Sequence, residues 1–245
     1  MEIEDDIVIH PVRLKRESII PETGLLLVNP SEARYGLEAA QAAGGERRTL
    51  YNSNLCVHAS QGYFVAGPAI GAPMAVMTME KLIALGARKI ILFGWCGTLR
   101  ESLAIGDLLL PTSALSGEGT SSYYVSGSQL PGPSSFLIEK LKGLLEGFTL
   151  SWQEGCVWST DAPYREKRSF LKALRKEQDV SAVDMEYAAL CSASDFRKID
   201  FAALLLVSDE VWGRNWTPGF SRQEFKAKSR MLIDIFIKEL PLKTR

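Results

Sequence analysis

The chain has 245 residues, with 28 basic and 29 acidic side chains and a formal net charge of −1. Near-neutrality leaves no field to gather nucleic acid or an anionic membrane surface, so neither is expected as a partner. Hydrophobic residues make up 46% of the chain, enough for a full core without covalent staples, and the cysteines Cys56, Cys96, Cys156 and Cys191 are scattered without a C-x-x-C pair. With only two histidines in addition, that spacing argues against a zinc site or a disulfide framework and fits a reducing compartment.

Taken from its beginning, "MEIEDDIVIH" is acidic where a secretory signal would be basic and then apolar. The longest uncharged stretch, 49–79, is broken throughout by Asn, Ser, His, Gln, Gly and Pro, unlike a membrane span. A cytoplasmic location is expected. Short apolar runs read as strands: "GLLLVN" (24–29), "YFVAG" (63–67), "KIILFG" (89–94), "DLLLPT" (107–112), "CVWST" (156–160) and "FAALLLVSD" (201–209). Several are apolar on both faces, as in a sheet covered on both sides. Between them, residues 72–87, 134–147, 164–177, 186–196 and 221–240 carry helical periodicity. The last is amphipathic, and Ser221 with Glu224 has the spacing of a capping box. Alternation of strands and helices predicts an α/β fold with a largely parallel or mixed sheet, read as one domain over 1–245. The polar segment 116–135 is a loop long enough to serve as a lid or as plain mobile surface.

Ligands in open α/β sheets gather at the carboxyl ends of strands. Three such ends carry chemistry: "FGWCGTL" (93–99), "STDAPYRE" (159–166) and "VSDEVWG" (207–213). Gly94 and Gly97 read as a tight turn or as a close approach to a ligand. Asp209 follows a buried strand; it reads either as a cap or surface acid, or as a carboxyl group at a dry strand end fit for general-acid work. In "SAVDMEYAALCSAS" (181–194), Asp184 and Glu186 head an apolar, small-residue helix, where unpartnered carboxylates are costly. Glu186 therefore points to a ligand, whereas Met185 alone reads as core filler.

"VDMEYAAL" resembles the Glu-Met-Glu signature of the nucleoside phosphorylase and nucleosidase superfamily. "GAPMAVMTMEKLIALGARKIILFGWCGTL" resembles its central helix, strand and glycine turn, "VSDE" the Ser-Asp of its purine-cleaving members, and "STDAPY" its base-pocket segment. The likeness runs in order from about residue 10 to 240. It implies a three-layer α/β/α sandwich around a central mixed, partly barrel-like sheet, and cleavage of a nucleoside N-glycosidic bond with no metal or organic cofactor. By the same resemblance Asp209 serves the leaving base and Glu186 takes the ribose hydroxyls. Met185 floors the sugar, and Asp184 stands where the family has Glu. Pro163 or Tyr164 lies against the base, with Gly97 and Trp95 at the glycine turn.

The phosphorolytic pattern is not kept. Where phosphorylases of this kind read Gly-Asp-Pro-x-Arg, this chain has Val28, Asn29, Pro30, Ser31 and Glu32. Leu92 replaces the arginine before the glycine turn, and Trp95 its small hydroxyl residue. Phosphate requires N–H donors and positive charge, so these replacements favour water as the nucleophile. Glu32 stands where the nucleosidases place a glutamate; it reads as the group that activates water, or as a solvated loop acid. A phosphorylase using Arg34, Arg47 or Arg48 and a nucleoside-binding protein without turnover are the competing readings, the latter favoured by the bulk of Trp95. His10 precedes Asn29 by the interval that, in uridine-type relatives, separates a ribose ligand from the Asp of Gly-Asp-Pro. In those relatives the histidine crosses a dimer interface, which implies a homodimer or higher homo-oligomer. The base, its 5′-substituent and the size of the assembly stay open at this stage.

Overall fold

The computed structural model describes residues 7–50, 53–125 and 131–241. Residues 1–6 of the acidic start and 126–130 of the polar loop lie outside the described residues. The chain runs β1 (Thr23–Leu27), α1 (Pro30–Ala42), β2 (Glu46–Leu50), β3 (Ser53–His58), β4 (Tyr63–Gly67), α2 (Ala72–Leu85) and β5 (Lys89–Thr98). It continues through β6 (Leu108–Gly117), α3 (Ser135–Gly147), β7 (Gln153–Thr160), α4 (Arg168–Glu177), β8 (Val180–Asp184) and α5 (Tyr187–Phe196). Strand β9 (Asp200–Glu210), the short β10 (Thr217–Pro218) and α6 (Gln223–Glu239) complete it.

All strands join one sheet in the order β10-β9-β6-β7-β8-β5-β1-β4-β3-β2, and β9 pairs with β5 as well as with β6. That extra pairing closes β5, β9, β6, β7 and β8 into a five-stranded barrel, from which β1, β4, β3 and β2 extend as an open wing. Pairing is parallel for β1–β4, β1–β5, β5–β9, β6–β7 and β7–β8, and antiparallel for β5–β8, β6–β9 and β2–β3–β4. The sheet is thus mixed and partly barrel-like, as the sequence pattern and resemblance imply.

The strands are buried on both faces because their two side-chain sets meet different helices. Leu26, Ile90, Leu92, Ala203 and Leu205 pack with Ala75, Val76 and Met79 of α2 and with Ala188, Ala189 and Cys191 of α5. Leu25, Leu27, Ile91, Phe93, Ala202 and Leu204 pack with Leu37 of α1, Leu141 of α3 and Phe225, Ile233 and Phe236 of α6. Helix α4 adds Leu171 and Leu174 to a smaller cluster with Trp158, Val180 and Val183 on the barrel wall. Among the described residues, no helix is long and apolar enough to cross a membrane.

Several elements depart from the sequence pattern. Pro30 begins α1 rather than prolonging a loop, since a proline at the first helical position forfeits no hydrogen bond. Strands β2 and β3 carry too many polar residues to stand out, because β2 is a sheet edge with Glu46, Arg47 and Thr49 exposed. Residues 180–184, which carried no strand reading, form strand β8, and α5 follows from Tyr187, one residue past the expected start. The capping box at Ser221 is not formed: α6 starts later, with Arg222 at the cap position and no side-chain cap bond. A turn in which Arg222 N–H donates to the Gly219 carbonyl (2.9 Å) sets that later start.

Candidate active site

A cavity of about 550 Å³ opens at the carboxyl ends of β1, β5, β7, β8 and β9. From β1 comes Asn29, from β5 Trp95, Cys96 and Gly97, and from the turn after β8 Asp184, Met185 and Glu186. The segment after β7 supplies Pro163, Tyr164, Glu166 and Arg168, and the end of β9 supplies Ser208 and Asp209. Trp216 and Phe220, from the chain beyond β9, close one side.

Asp209 owes its place to an irregularity in β9. Cys96 pairs with Val207 and Gly97 with Asp209, so Ser208 is the extra residue of a bulge. A bulge re-aims the side chain beyond it. Ser208 Oγ donates to Asp209 Oδ1 (2.5 Å) and lies 3.2 Å from the Cys96 carbonyl oxygen. The indole Nε1 of Trp216 donates to Asp209 Oδ2 (2.7 Å). Gly97 makes this approach possible, since a Cβ there would lie 3.0 Å from Oδ2.

At the opposite side, Glu186 precedes the first residue of α5 and does not cap it. Its Oε1 instead accepts the N–H of Gly71 (2.6 Å), at the N-terminus of α2. That bond and the helix end both favour the carboxylate. Burial and the neighbouring Asp184 charge outweigh them and push Glu186 up to about 8. Asp184 is raised to about 6, mainly by burial. Its Oδ1 accepts from Ser159 Oγ (2.5 Å), and its Oδ2 accepts the N–H groups of Glu186 (3.2 Å) and Tyr187 (2.7 Å). Asp184 therefore secures the start of α5, and this explains how a carboxylate can head so apolar a helix. Glu166 is also raised, to about 7, by burial first and then by the charge of Asp209.

These shifts fix a sign for stability. The folded chain holds protons on Asp184, Glu186 and Glu166 that the unfolded chain releases in the ordinary carboxylate range. Their contribution is full at low pH and is lost as pH rises from about 4.5 to about 8. The ligand-free protein is expected to lose several degrees of thermal midpoint across that window, and Glu186→Gln to flatten its upper half. A series of melts between pH 5 and pH 8.5 checks this; a midpoint rising with pH in wild type would contradict it.

Residues 30–238 match the family model of the Phosphorylase superfamily, most of the chain. The chain belongs to that superfamily. A purine nucleoside phosphorylase of DeoD type from Brevibacillus brevis is 26% identical over 210 residues, covering 83% of this chain and 88% of its own. Among solved structures, AMP nucleosidase from Bacteroides thetaiotaomicron is 25% identical with a TM-score of 0.70, covering 91% of this chain and 89% of that one. Uridine phosphorylase from Vibrio fischeri superposes with a TM-score of 0.76 at 19% identity, covering 91% of this chain and 93% of that one.

Within this superfamily member, Asp209, Glu186, Met185, Asp184, Gly97, Trp95, Pro163 and Tyr164 all line the one cavity. Tyr164 is 98% exposed and sits at its mouth. Trp95 stacks on Phe220 (5.9 Å between ring centroids) and meets Phe225 edge-on (5.2 Å). Its indole Nε1 is buried without a partner, as is Oδ1 of Asn29. Leu92 faces the α2–α5 side of the core instead of the cavity.

Glu32 and His10 are placed elsewhere. Glu32 lies in the first turn of α1, only 6% exposed and outside the cavity lining. Its Oε2 accepts from Ser31 Oγ (2.5 Å) and its Oε1 from Ser229 Oγ of α6 (3.0 Å). It is not a solvated loop acid, and it is not among the cavity-lining residues; the helix that Pro30 starts turns it toward α6. His10 is exposed and does not line the cavity. Arg34 and Arg47 are exposed, and Arg48 pairs with Glu46 (2.9 Å). None of these three arginines lines the cavity. Sequence reading gave no role to Glu166, Ser208 or Arg168 and left Trp216 between the base pocket and packing beneath it; all four line the cavity. Ser208 and Glu166 lie in strand-end stretches singled out above, whereas Arg168 and Trp216 come from chain with no motif to read.

Proposed function

We propose that the protein cleaves the N-glycosidic bond of a purine-type nucleoside, with water as the nucleophile. The observation that carries this reading is the make-up of the cavity lining, rich in carboxyl groups and poor in cationic donors. Four carboxyl groups line it (Glu166, Asp184, Glu186 and Asp209) against one guanidinium, that of Arg168. Arg168 Nη2 donates to the Arg214 carbonyl oxygen and is partly engaged there. Such a lining offers little of the forked N–H donors and positive charge that an inorganic phosphate dianion needs.

The same lining suits the reaction. The sugar becomes an oxocarbenium ion as the bond to the base lengthens, and carboxylates stabilise that positive charge. Glu186 and Met185 hold the ribose, with Asp184 keeping Glu186 in place through the start of α5. Asp209 lies at the base end, where the electron pair of the broken bond departs. Water adds to the anomeric carbon and its proton passes to the carboxylates or to solvent. The N-terminal His10 completes the site from a second copy of the chain, and the enzyme acts as a cytoplasmic homo-oligomer.

The deciding experiment is an incubation of purified protein with purine and pyrimidine nucleosides, with and without phosphate, then identification of the sugar. Free ribose without phosphate supports the proposal. Ribose 1-phosphate formed only with phosphate would replace water by phosphate, and binding without either product would make this a nucleoside-binding protein. Because Glu32 is held away from the cavity lining, Glu32→Gln is expected to keep turnover within several-fold. It should lose stability of about 1–3 kcal/mol, since a buried hydroxyl partner is left mismatched. Turnover falling below a hundredth in a folded Glu32→Gln variant would return that residue to the mechanism.

A further inference from the structure

Two donors grip the Asp209 carboxylate, Ser208 Oγ on Oδ1 (2.5 Å) and the indole Nε1 of Trp216 on Oδ2 (2.7 Å). They are unequal. Ser208 is 4% exposed, whereas Trp216 is 58% exposed and lines the cavity. The backbone sets Trp216 there. Thr217 pairs with Glu210 and Pro218 with Asp209, and the Gly219 N–H donates to the Ser208 carbonyl oxygen (2.8 Å). The chain 211–216 thus loops out and returns antiparallel onto the end of β9, with Trp216 the last residue before the pairing. Its ring lies 6.1 Å from that of Phe220, which in turn stacks on Trp95 (5.9 Å, 12° between planes). These three rings form a continuous aromatic wall that ends at Asp209. Tryptophan is on average a well-buried residue, so an indole this open at a cavity wall is apolar surface for a flat ligand to cover.

We propose that Trp216 recognises the base with its ring and positions Asp209 with its N–H. The proposal rests on the cleavage reading above and deepens it by assigning the residue that selects the base. An indole N–H donates and does not accept, so Trp216 fixes a geometry and transfers no proton. A purine laid against the ring gains stacking contact, and a two-ring base gains more of it than a pyrimidine. The base also takes water away from the indole. A hydrogen bond to a carboxylate strengthens as its surroundings dry, so the Trp216–Asp209 contact tightens when the base is in place. Occupancy of the base subsite and the orientation of Asp209 are thereby linked through one side chain. Loss of the ring weakens binding, and loss of the N–H alone leaves Asp209 held from the Ser208 side only.

Two variants separate the two roles: Trp216→Phe keeps a ring without the N–H, and Trp216→Leu removes both. With adenosine and inosine as substrates, Trp216→Phe is expected to lower kcat by about 10–100-fold with KM within threefold of wild type. Trp216→Leu should show the same loss in kcat and raise KM by about 5–100-fold as well. A kcat for Trp216→Phe within threefold of wild type overturns the positioning role, and an unchanged KM for Trp216→Leu overturns the base contact. Binding is read separately from turnover by tryptophan emission. Adenosine and free adenine should both change the emission of wild-type protein, free ribose should not, and Trp216→Phe should lose at least half of the change. A change that survives whole in Trp216→Phe, or that ribose alone produces, places the base elsewhere. Wild-type protein that binds adenosine but releases no ribose or ribose 1-phosphate sinks the cleavage reading and the positioning role with it, while the emission change still decides the base contact. Wild-type protein whose emission responds to neither nucleoside overturns the proposal entirely.

Discussion

Replacing Asp209 with Asn is expected to cut nucleoside turnover by about 10²–10⁴-fold, with a much smaller change in KM. The bulge that places Asp209 survives the substitution, because Ser208 remains the extra residue between paired positions of β9 and β5. What changes is the chemistry at the two side-chain atoms. Both carboxylate oxygens accept hydrogen bonds, from Ser208 Oγ and Trp216 Nε1. An amide keeps its oxygen for the indole N–H and turns its N–H₂ to Ser208 Oγ, whose own hydrogen can pass to the Cys96 carbonyl oxygen, so the geometry is held while the charge and the acid are lost. The negative charge beside Glu166 also disappears. That charge is one of the two causes that raise Glu166, so its loss lowers the proton affinity of Glu166. Initial rates across pH 5–9 test the loss of turnover. A variant within tenfold of wild type at every pH would remove Asp209 from the chemistry.

Gly67→Ala is expected to be the most damaging single change to the fold, at roughly 2–5 kcal/mol of stability. Gly67 ends β4 with φ of +147°, a conformation that L side chains rarely adopt. A Cβ there would lie 2.1 Å from the Leu27 carbonyl oxygen and 3.0 Å from Ala33 Cβ. The first of these is backbone of β1, which is held between β4 and β5 and cannot yield. The strain falls on the ends of β1 and β4, which carry Asn29 and, through the next loop, Ile70 at the cavity. At this chain length each kcal/mol lowers the melting midpoint by about 2–4 °C, so a shift of roughly 5–20 °C is expected. An unchanged midpoint would show that β1 and α1 move apart more easily than their burial suggests.

The readable parts of this protein are those where a local pattern repeats. Runs such as "YFVAG" and "FAALLLVSD" are apolar at nearly every position, and they form strands covered on both sides, β4 as read and β9 within one residue at each end. Helices α2, α3 and α5 obey the same logic, and the motifs at strand ends bring Asp209, Glu186, Met185 and Gly97 to one cavity. Strand β2 and helix α1 were not legible because an exposed edge and a polar, proline-led start carry no apolar period.

Residue identity along the chain was enough to specify the α/β fold, the family and the meeting of Asp209 with Glu186, since each depends on short-range order: side-chain period, turn residues and the few positions just past a strand. Contacts between distant segments decided the rest. Glu32 looked free to meet the cavity until Ser229, 197 residues away, took one of its oxygens. Asp184, read as standing where the family has Glu, lines the cavity, and only the tertiary structure shows Ser159 and the amides of Glu186 and Tyr187 holding it. Glu166 stood in an unpatterned turn, and only the closing of the barrel brought it to the same cavity as Asp209. A carboxyl group's partners and proton affinity depend on burial and on charges a few ångströms away in space, and a linear order of residues does not contain those distances.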